Sequence, residues 1–149
     1  MLVIGSDHGG YELKKSILEL LRKRGVNCAD FGTDGSDSVD YPDYAAKVAS
    51  AVSSGEAELG ILICGTGIGM SISANKFPGV RAALVHDDFT AQMAREHNNA
   101  NILVMGGRVL TPDQGKRLVE IWYDAKYEGG RHQKRLDKIS VIEQRVINH

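Results

Sequence analysis

Short apolar runs alternate with longer amphipathic segments along the chain. Five of these runs predict strands. The clearest is Leu59–Cys64, which is apolar on both faces, as expected of a parallel strand covered by helices. The other four predicted strands are Leu2–Gly5, Val26–Phe31, Val80–Val85 and Asn101–Met105.

Between the apolar runs, hydrophobic residues recur every three or four positions, which is the spacing of a buried helix face. The segments predict helices over about 13–24, 42–54, from about 68, 89–97, 112–125 and 136–146. Thr111 and Pro112 form a strong helix start, with threonine as N-cap and proline at the first helical position.

Strands alternating with helices predict a single-domain α/β fold spanning residues 1–149. We expect a Rossmann-like open parallel sheet of about five strands, with helices on both faces and an additional C-terminal helix. That last helix has an apolar stripe of its own. The stripe either covers the chain's own core or packs on a second subunit, and the pattern favours neither.

Composition narrows the class of protein. The chain has 149 residues, of which 42% are hydrophobic, and a formal net charge of -1. Such a balance argues against nucleic-acid and membrane-surface partners, and no apolar run reaches the roughly 18 residues that span a bilayer. The start of the chain lacks the pattern of a signal peptide, and two cysteines exclude a disulfide framework. We therefore expect a cytoplasmic protein.

Ligands of such sheets bind beyond the carboxyl ends of the strands, so the loops there are candidate sites. The first predicted strand runs into Gly5-Ser6-Asp7-His8-Gly9-Gly10. Its glycines let the backbone approach a ligand, and Asp7 and His8 supply groups capable of acid–base chemistry. The alternative is an ordinary strand-to-helix turn in which Asp7 caps the next helix.

The third predicted strand ends in Cys64-Gly65-Thr66-Gly67-Ile68-Gly69-Met70-Ser71. This loop has neither the dinucleotide Gly-x-Gly-x-x-Gly pattern nor the Gly-Lys-Ser/Thr of a nucleotide-triphosphate loop. It predicts a row of backbone N–H groups that stabilises an anion. A cysteine ending a core strand is commonly inert, but its place beside this loop favours a reactive Cys64. Cys28, in the middle of a predicted strand, is assigned to the core.

Basic residues form the third candidate group. Arg131 and Arg135 are four positions apart at the start of the last helix, so they share a face that suits a phosphate, unless they are simply part of a solvated surface. Arg108 follows Gly106-Gly107, and His97-Asn98 closes a predicted helix. The imidazole of His97 could transfer protons or cap carbonyl groups. No spacing of ligand residues predicts a metal site.

Taken together, these segments identify a family resemblance. The segments Gly5–Gly10, Cys64–Ser71, His97–Asn101, Gly106–Arg108 and Arg131-His132-x-x-Arg135 resemble type B ribose-5-phosphate isomerase. The wider family includes galactose-6-phosphate and allose-6-phosphate isomerases. The resemblance covers nearly the whole chain, and the Cys-Gly-Thr-Gly-Ile-Gly-Met-Ser string is highly specific.

The resemblance implies a reversible aldose–ketose isomerisation of ribose 5-phosphate and ribulose 5-phosphate, without metal or cofactor. Cys64 corresponds to the base that moves a proton between C1 and C2. His97 corresponds to the group that opens the sugar ring, with Asp7 assisting and Asn98 binding hydroxyl groups. The enediolate would be held by Gly65, Thr66, Gly67, Ile68 and Gly69, and the phosphate by His8, Arg108, Arg131 and Arg135.

Two further expectations come from the resemblance. A second branch of the family uses a glutamate base at the position of Met70, so this chain resembles the thiol branch. The family also implies a homodimer, with association into a dimer of dimers left open, in which His97, Asn98 and Arg108 come from the neighbouring subunit.

The residues alone leave two alternatives. One is an isomerase of a hexose 6-phosphate, either allose or galactose, because periodicity does not reveal the depth of a pocket. The other is a non-catalytic module that binds sugar phosphates. A thiol-redox role is weaker, since no resolving cysteine lies close in sequence.

Overall fold

The computed structural model describes residues 1–148 and confirms the predicted architecture. The five strands are Leu2–Ser6 (β1), Cys28–Asp30 (β2), Leu59–Cys64 (β3), Ala82–Leu84 (β4) and Ile102–Gly106 (β5). The helices are Tyr11–Lys23 (α1), Tyr41–Ser54 (α2), Ile68–Ala74 (α3), Asp88–Glu96 (α4), Pro112–Asp124 (α5) and Arg131–Ile147 (α6). A 3₁₀ turn, His8–Gly10, precedes α1.

All strand pairs are parallel, and the strand order is β2-β1-β3-β5-β4. The strand order reverses between β1 and β3, so the crevice at the carboxyl ends of these two strands is the topological switch point of the sheet. β2 and β4 are shorter than the apolar runs predict. Each is an edge strand with a neighbour on one side, and each is only partly buried.

Helices cover both faces of the sheet and divide the core into two layers. Helices α1, α4 and α5 pack on one face, where Trp122 is fully buried and its indole N–H donates to the Ala100 carbonyl at 3.1 Å. Helices α2 and α3 pack on the other face, where Val48 and Met70 are fully buried.

The predicted start of α5 is confirmed in atomic detail. The Thr111 hydroxyl accepts a hydrogen bond from the Gln114 N–H, and the Gln114 side chain accepts one from the Thr111 N–H. This capping box satisfies two N–H groups that the first turn of a helix leaves without partners. It fixes where the chain turns back from the carboxyl ends of the strands.

Helix α6 crosses the opposite, amino edge of the sheet. Within it, Leu136 packs against the chain, and the Glu143 carboxylate accepts the Gly79 N–H at 3.0 Å. Its outer apolar residues stay exposed: Ile139 is 50%, Ile142 58% and Val146 70% accessible. The helix therefore contributes little to the core of its own chain. Among residues 1–148, no helix combines the length and apolar character that crossing a membrane requires.

Candidate active site

Three loops meet at the carboxyl edge of the sheet, and glycines allow the contact. The Gly107 N–H donates to the Cys64 carbonyl at 2.8 Å, and the Arg108 N–H donates to the Gly65 carbonyl at 2.9 Å. A Cβ atom on Gly107 would overlap the Gly9 carbonyl oxygen. The loops after β1, β3 and β5 therefore form one continuous surface around the switch point.

Cys64 is the last residue of β3 and its side chain faces this loop system. The residue is 5% exposed, and its Sγ accepts the Gly67 N–H at 3.2 Å. Gly67 has φ of +84°, in the left-handed region that favours glycine, and this conformation turns its N–H back onto the sulfur. An N–H group directed at sulfur stabilises negative charge there. The geometry thus supports a reactive thiol at this position.

The loop after Cys64 carries polar groups toward the crevice. The exposed Thr66 hydroxyl accepts the Ile68 N–H at 3.2 Å, and a hydroxyl in this arrangement still has its own proton to donate. Met70, at the position of the other branch's glutamate, is fully buried among core residues. The side chain at that position therefore packs in the core in this chain.

Tyr41 was missed by the sequence analysis. A Cβ on Gly69 would overlap the Tyr41 ring, so the ring lies directly against the glycine loop, and it is 39% exposed. In the sequence, Tyr41 is marked by nothing except its position at the start of a predicted helix, which does not reveal its contact with the glycine loop. Tyr41 forms an aromatic wall on one side of the crevice.

Asp7 and His8 directly follow β1. One Asp7 oxygen, Oδ1, accepts the N–H groups of Gly9 at 2.9 Å and Gly10 at 3.2 Å, so the capping alternative is correct for that oxygen. The His8 Nδ1 accepts the Val39 N–H at 3.2 Å. A neutral imidazole that accepts through Nδ1 carries its proton on Nε2, so His8 is a hydrogen-bond donor through Nε2.

Arg108 lies with these loops in its own chain. A Cβ added to Gly65 would come within 3.2 Å of the Arg108 Nη1, so the guanidinium lies over the backbone of the glycine loop. This placement differs from the expectation that Arg108 joins His97 and Asn98. The hydrogen bond from Arg108 to Gly65 ties it instead to the strand end that carries Cys64.

His97 and Asn98 lie at the other edge of the sheet. α4 runs back from the carboxyl edge, so the residues that follow it sit where β5 begins. Cys64 is instead in register with Gly106, where β5 ends. The four residue steps from Ile102 to Gly106 along β5 separate the two edges by about 13 Å. One chain therefore keeps His97 away from Cys64.

A cluster around His97 went undetected in the sequence. The His132 ring stacks on the His97 ring, with centroids 4.0 Å apart and planes inclined by 16°. The Glu128 carboxylate lies 3.7 Å from His97 Nε2 and 3.9 Å from His132 Nε2. Arg131 and Arg135, on the first turns of α6, flank this cluster.

The environment lowers the pKa of His132. Loss of hydration by burial is the main cause, and the nearby positive charges of His97 and Arg131 add to it, while Glu128 opposes them. His132 therefore takes up a proton less readily than a free imidazole does.

The same three side chains offer potential metal ligands, whose donor atoms lie within 4.8 Å of one another. The lone pairs of an imidazole lie in its ring plane. Since the two planes are nearly parallel and stacked, their lone pairs do not converge on one ion at about 2.1 Å. The three side chains therefore form a charged cluster at ion-pair distance, and their geometry does not suit chelation of an ion.

The fold, the loops at the switch point and the basic amino edge define a doubly wound α/β domain whose switch-point loops surround a cysteine. The chain belongs to the ribose/galactose isomerase family, whose model matches residues 2–139. This confirms the resemblance drawn from the motifs.

Relatives with known names cover almost the whole chain. Ribose-5-phosphate isomerase B of Escherichia coli is 49% identical over 144 residues, which is 97% of each chain. The structure of ribose-5-phosphate isomerase B from Clostridium thermocellum has a TM-score of 0.95 and 54% identity, covering 97% of this chain and 98% of that one. The Mycoplasma genitalium enzyme with bound ribulose-5-phosphate has a TM-score of 0.93 and 46% identity, covering 96% and 95%.

Proposed function

We propose that this chain interconverts ribose 5-phosphate and ribulose 5-phosphate through an enediolate, at sites shared between two copies of the chain. The observation that carries the proposal is the Cys64 sulfur at the switch point, with the Gly67 N–H donating to it. Named relatives with this activity, one of them holding ribulose-5-phosphate, support the choice of substrate.

In the proposed reaction Cys64 is the base. Its thiolate removes the proton from C2 of the open-chain aldose, and the electron pair forms the C1–C2 double bond while negative charge develops on O1. The Cys64 thiol then returns its proton to C1 and becomes the thiolate again, while the proton of the C2 hydroxyl group passes to O1 and the C2–O double bond forms. The Thr66 hydroxyl and backbone N–H groups of the loop face the developing charge.

The residues that would bind the phosphate group of the substrate come from both the carboxyl edge and the amino edge of the sheet. His8 donates through Nε2, and Arg108 presents its guanidinium over the glycine loop of the same chain. Arg131 and Arg135 project from the first turns of α6, at the amino edge, and reach a phosphate only from the second copy. Guanidinium groups suit this task because their planar N–H groups pair with phosphate oxygens two at a time.

Two exposed apolar surfaces support a homodimer. The outer face of α6 exposes Ile142 and Val146, and the carboxyl edge exposes Ile72 at 59% and Phe89 at 69%. In the proposed two-fold dimer the amino edge of each chain packs on the carboxyl edge of the other, and the symmetry makes this contact twice. That arrangement places His97 of one chain near Cys64 of its neighbour.

His97 is proposed to open the furanose ring, with Asp7 assisting and Asn98 binding hydroxyl groups. His97 is 35% exposed at its side chain, and Asn98 is exposed beside it, so both are accessible to a substrate held by the neighbouring chain.

Replacement of His97 by alanine should slow the reaction of ribose 5-phosphate far more than that of ribulose 5-phosphate. Ribulose 5-phosphate cannot form that furanose ring and presents its carbonyl directly, whereas a missing acid–base group costs about 10²–10⁴-fold in the step it serves. Pre-steady-state rates in the two directions measure the difference. Equal losses in both directions would refute the ring-opening role.

The substrate proposal is tested by a panel. Purified protein should give its highest kcat/KM with ribose 5-phosphate, compared with allose 6-phosphate and galactose 6-phosphate. A preference for either hexose phosphate would keep the reaction class and overturn the pentose assignment. Binding of all three without turnover would identify a sugar-phosphate-binding module.

A further inference from the structure

We infer that Glu128 and His132 are positioning residues that hold the His97 imidazole for ring opening. The inference rests on the proposed function, since it assigns supporting groups to the ring-opening histidine. It concerns a cluster formed by two segments that are 31 positions apart in sequence.

The carboxylate of Glu128 spans both imidazoles. Its Oε1 lies 3.7 Å from His97 Nε2, and its Oε2 lies 3.9 Å from His132 Nε2. The His132 ring covers one face of the His97 ring at a centroid separation of 4.0 Å. The carboxylate therefore lies within ion-pair distance of both imidazoles, and the stacked His132 ring covers one face of His97.

The backbone holds this cluster in place independently of the carboxylate. The Glu128 N–H donates to the Glu96 carbonyl at 3.0 Å, which ties residue 128 to the end of α4, next to His97. The His132 N–H donates to the Gly129 carbonyl at 3.1 Å. Because main-chain groups make both contacts, removal of the carboxylate charge leaves the turn intact.

The arrangement suits the proton movements of ring opening. One proton leaves the anomeric hydroxyl group and one reaches the ring oxygen as the bond between C1 and that oxygen breaks. The negative charge of a carboxylate 3.7 Å from Nε2 favours a proton on that nitrogen, which leaves Nδ1 to exchange protons with the sugar. When the imidazole is transiently protonated at both nitrogens, the carboxylate stabilises its charge.

The other groups near His97 contribute either packing or positive charge. Burial lowers the pKa of His132, which disfavours a positive charge on its ring, and the ring supports His97 by stacking on it. Arg131 and Arg135 add positive charge from α6, and Glu128 opposes that charge at the imidazole. The carboxylate is therefore the negatively charged group of this cluster.

The test is Glu128→Gln, which keeps the size of the side chain and removes its charge. We expect kcat for ribose 5-phosphate to fall about 10-fold or more, part of the 10²–10⁴-fold that a positioned acid–base group contributes. The loss for ribulose 5-phosphate should be smaller, KM should stay within a few-fold, and Glu128→Asp should recover part of the rate. In a His97→Ala background, Glu128→Gln should have no further effect.

The matched control is Glu120→Gln. Glu120 is a carboxylate paired with Arg24 at 3.5 Å, outside the cluster, and its change should leave both directions unaltered. Equal losses of Glu128→Gln in both directions, or a loss that adds to that of His97→Ala, would overturn the inference and leave the ring-opening role of His97 standing. If His97→Ala itself shows no directional loss, that part of the proposed function fails, and the inference fails with it.

Discussion

Replacement of Cys64 by alanine should lower kcat by about 10²–10⁴-fold or more, the usual contribution of a positioned base. Substrate affinity should stay within a few-fold, because the glycine loop, His8 and the arginines remain. Cys64→Ser should be nearly as inactive, since a hydroxyl group is too weakly acidic to be ionised there at neutral pH. Loss of turnover with retained binding separates an isomerase from a module that only binds sugar phosphates.

Cys28 provides the matched control. Burial, together with the nearby charge of Asp30, raises the pKa of the Cys28 thiol to about 12, so it stays protonated at neutral pH. Cys28→Ser should therefore keep its activity. Iodoacetamide should inactivate the unmodified enzyme through Cys64, and substrate should protect it.

Isotope exchange reports on the base itself. In deuterated water the enzyme should exchange the transferred carbon-bound hydrogen, and Cys64→Ala should lose this exchange together with turnover. Exchange at the unmodified rate in Cys64→Ala would show that another group is the base.

Replacement of Arg131 or Arg135 by alanine should chiefly weaken binding of the phosphate end. Removing one member of a desolvated charge pair costs about 2–5 kcal/mol, which corresponds to about 30-fold or more in affinity. kcat falls as well if binding energy at the phosphate orients the reacting carbons. Steady-state kinetics with ribose 5-phosphate give both quantities.

Inorganic phosphate is the second readout for these arginines. It should compete with substrate in the unmodified enzyme and much less in Arg131→Ala or Arg135→Ala. Lys138→Ala, which removes a neighbouring positive charge from α6, serves as the control and should keep the competition. Undiminished competition in both arginine variants would make Arg131 and Arg135 a solvated surface.

Much of the fold follows from local sequence. β3 is apolar on both faces because it lies in the middle of the sheet between β1 and β5. The Thr111-Pro112 start of α5 is a local capping signal, and the structure shows it as predicted. The apolar runs around β2 and β4 overestimate the strands, since an edge strand pairs on one side only and its ends leave the sheet early.

The two halves of the candidate site differ in how far the sequence reveals them. The loops after β1 and β3 can be predicted from the sequence, because the carboxyl ends of parallel strands lie at the same edge of the sheet and ligands bind there. The stacking of His132 on His97, and the place of Glu128 beside both, depend on how α6 folds back against the end of α4. Spacing along the chain carries no signal of that contact. The resemblance groups Arg108 with His97, whereas its hydrogen bond to Gly65 and its guanidinium over that residue place it with Cys64.

The central claim is that each site takes Cys64 from one chain and the amino-edge residues from the other. It is tested directly by a hybrid dimer of two defective chains carrying different tags, isolated by both tags after co-expression. One chain carries Cys64→Ala, and the other carries His97→Ala, Arg131→Ala and Arg135→Ala. Each homodimer should be nearly inactive on ribose 5-phosphate.

If sites are shared between chains, one of the two sites of the hybrid combines the intact Cys64 of one chain with the intact amino-edge residues of the other. The second site then carries all the substitutions. The hybrid should therefore show about half the kcat/KM per dimer of the unmodified enzyme, since one of its two equivalent sites is complete. A hybrid no more active than the two defective homodimers would show that each site is built within a single chain and would contradict the account.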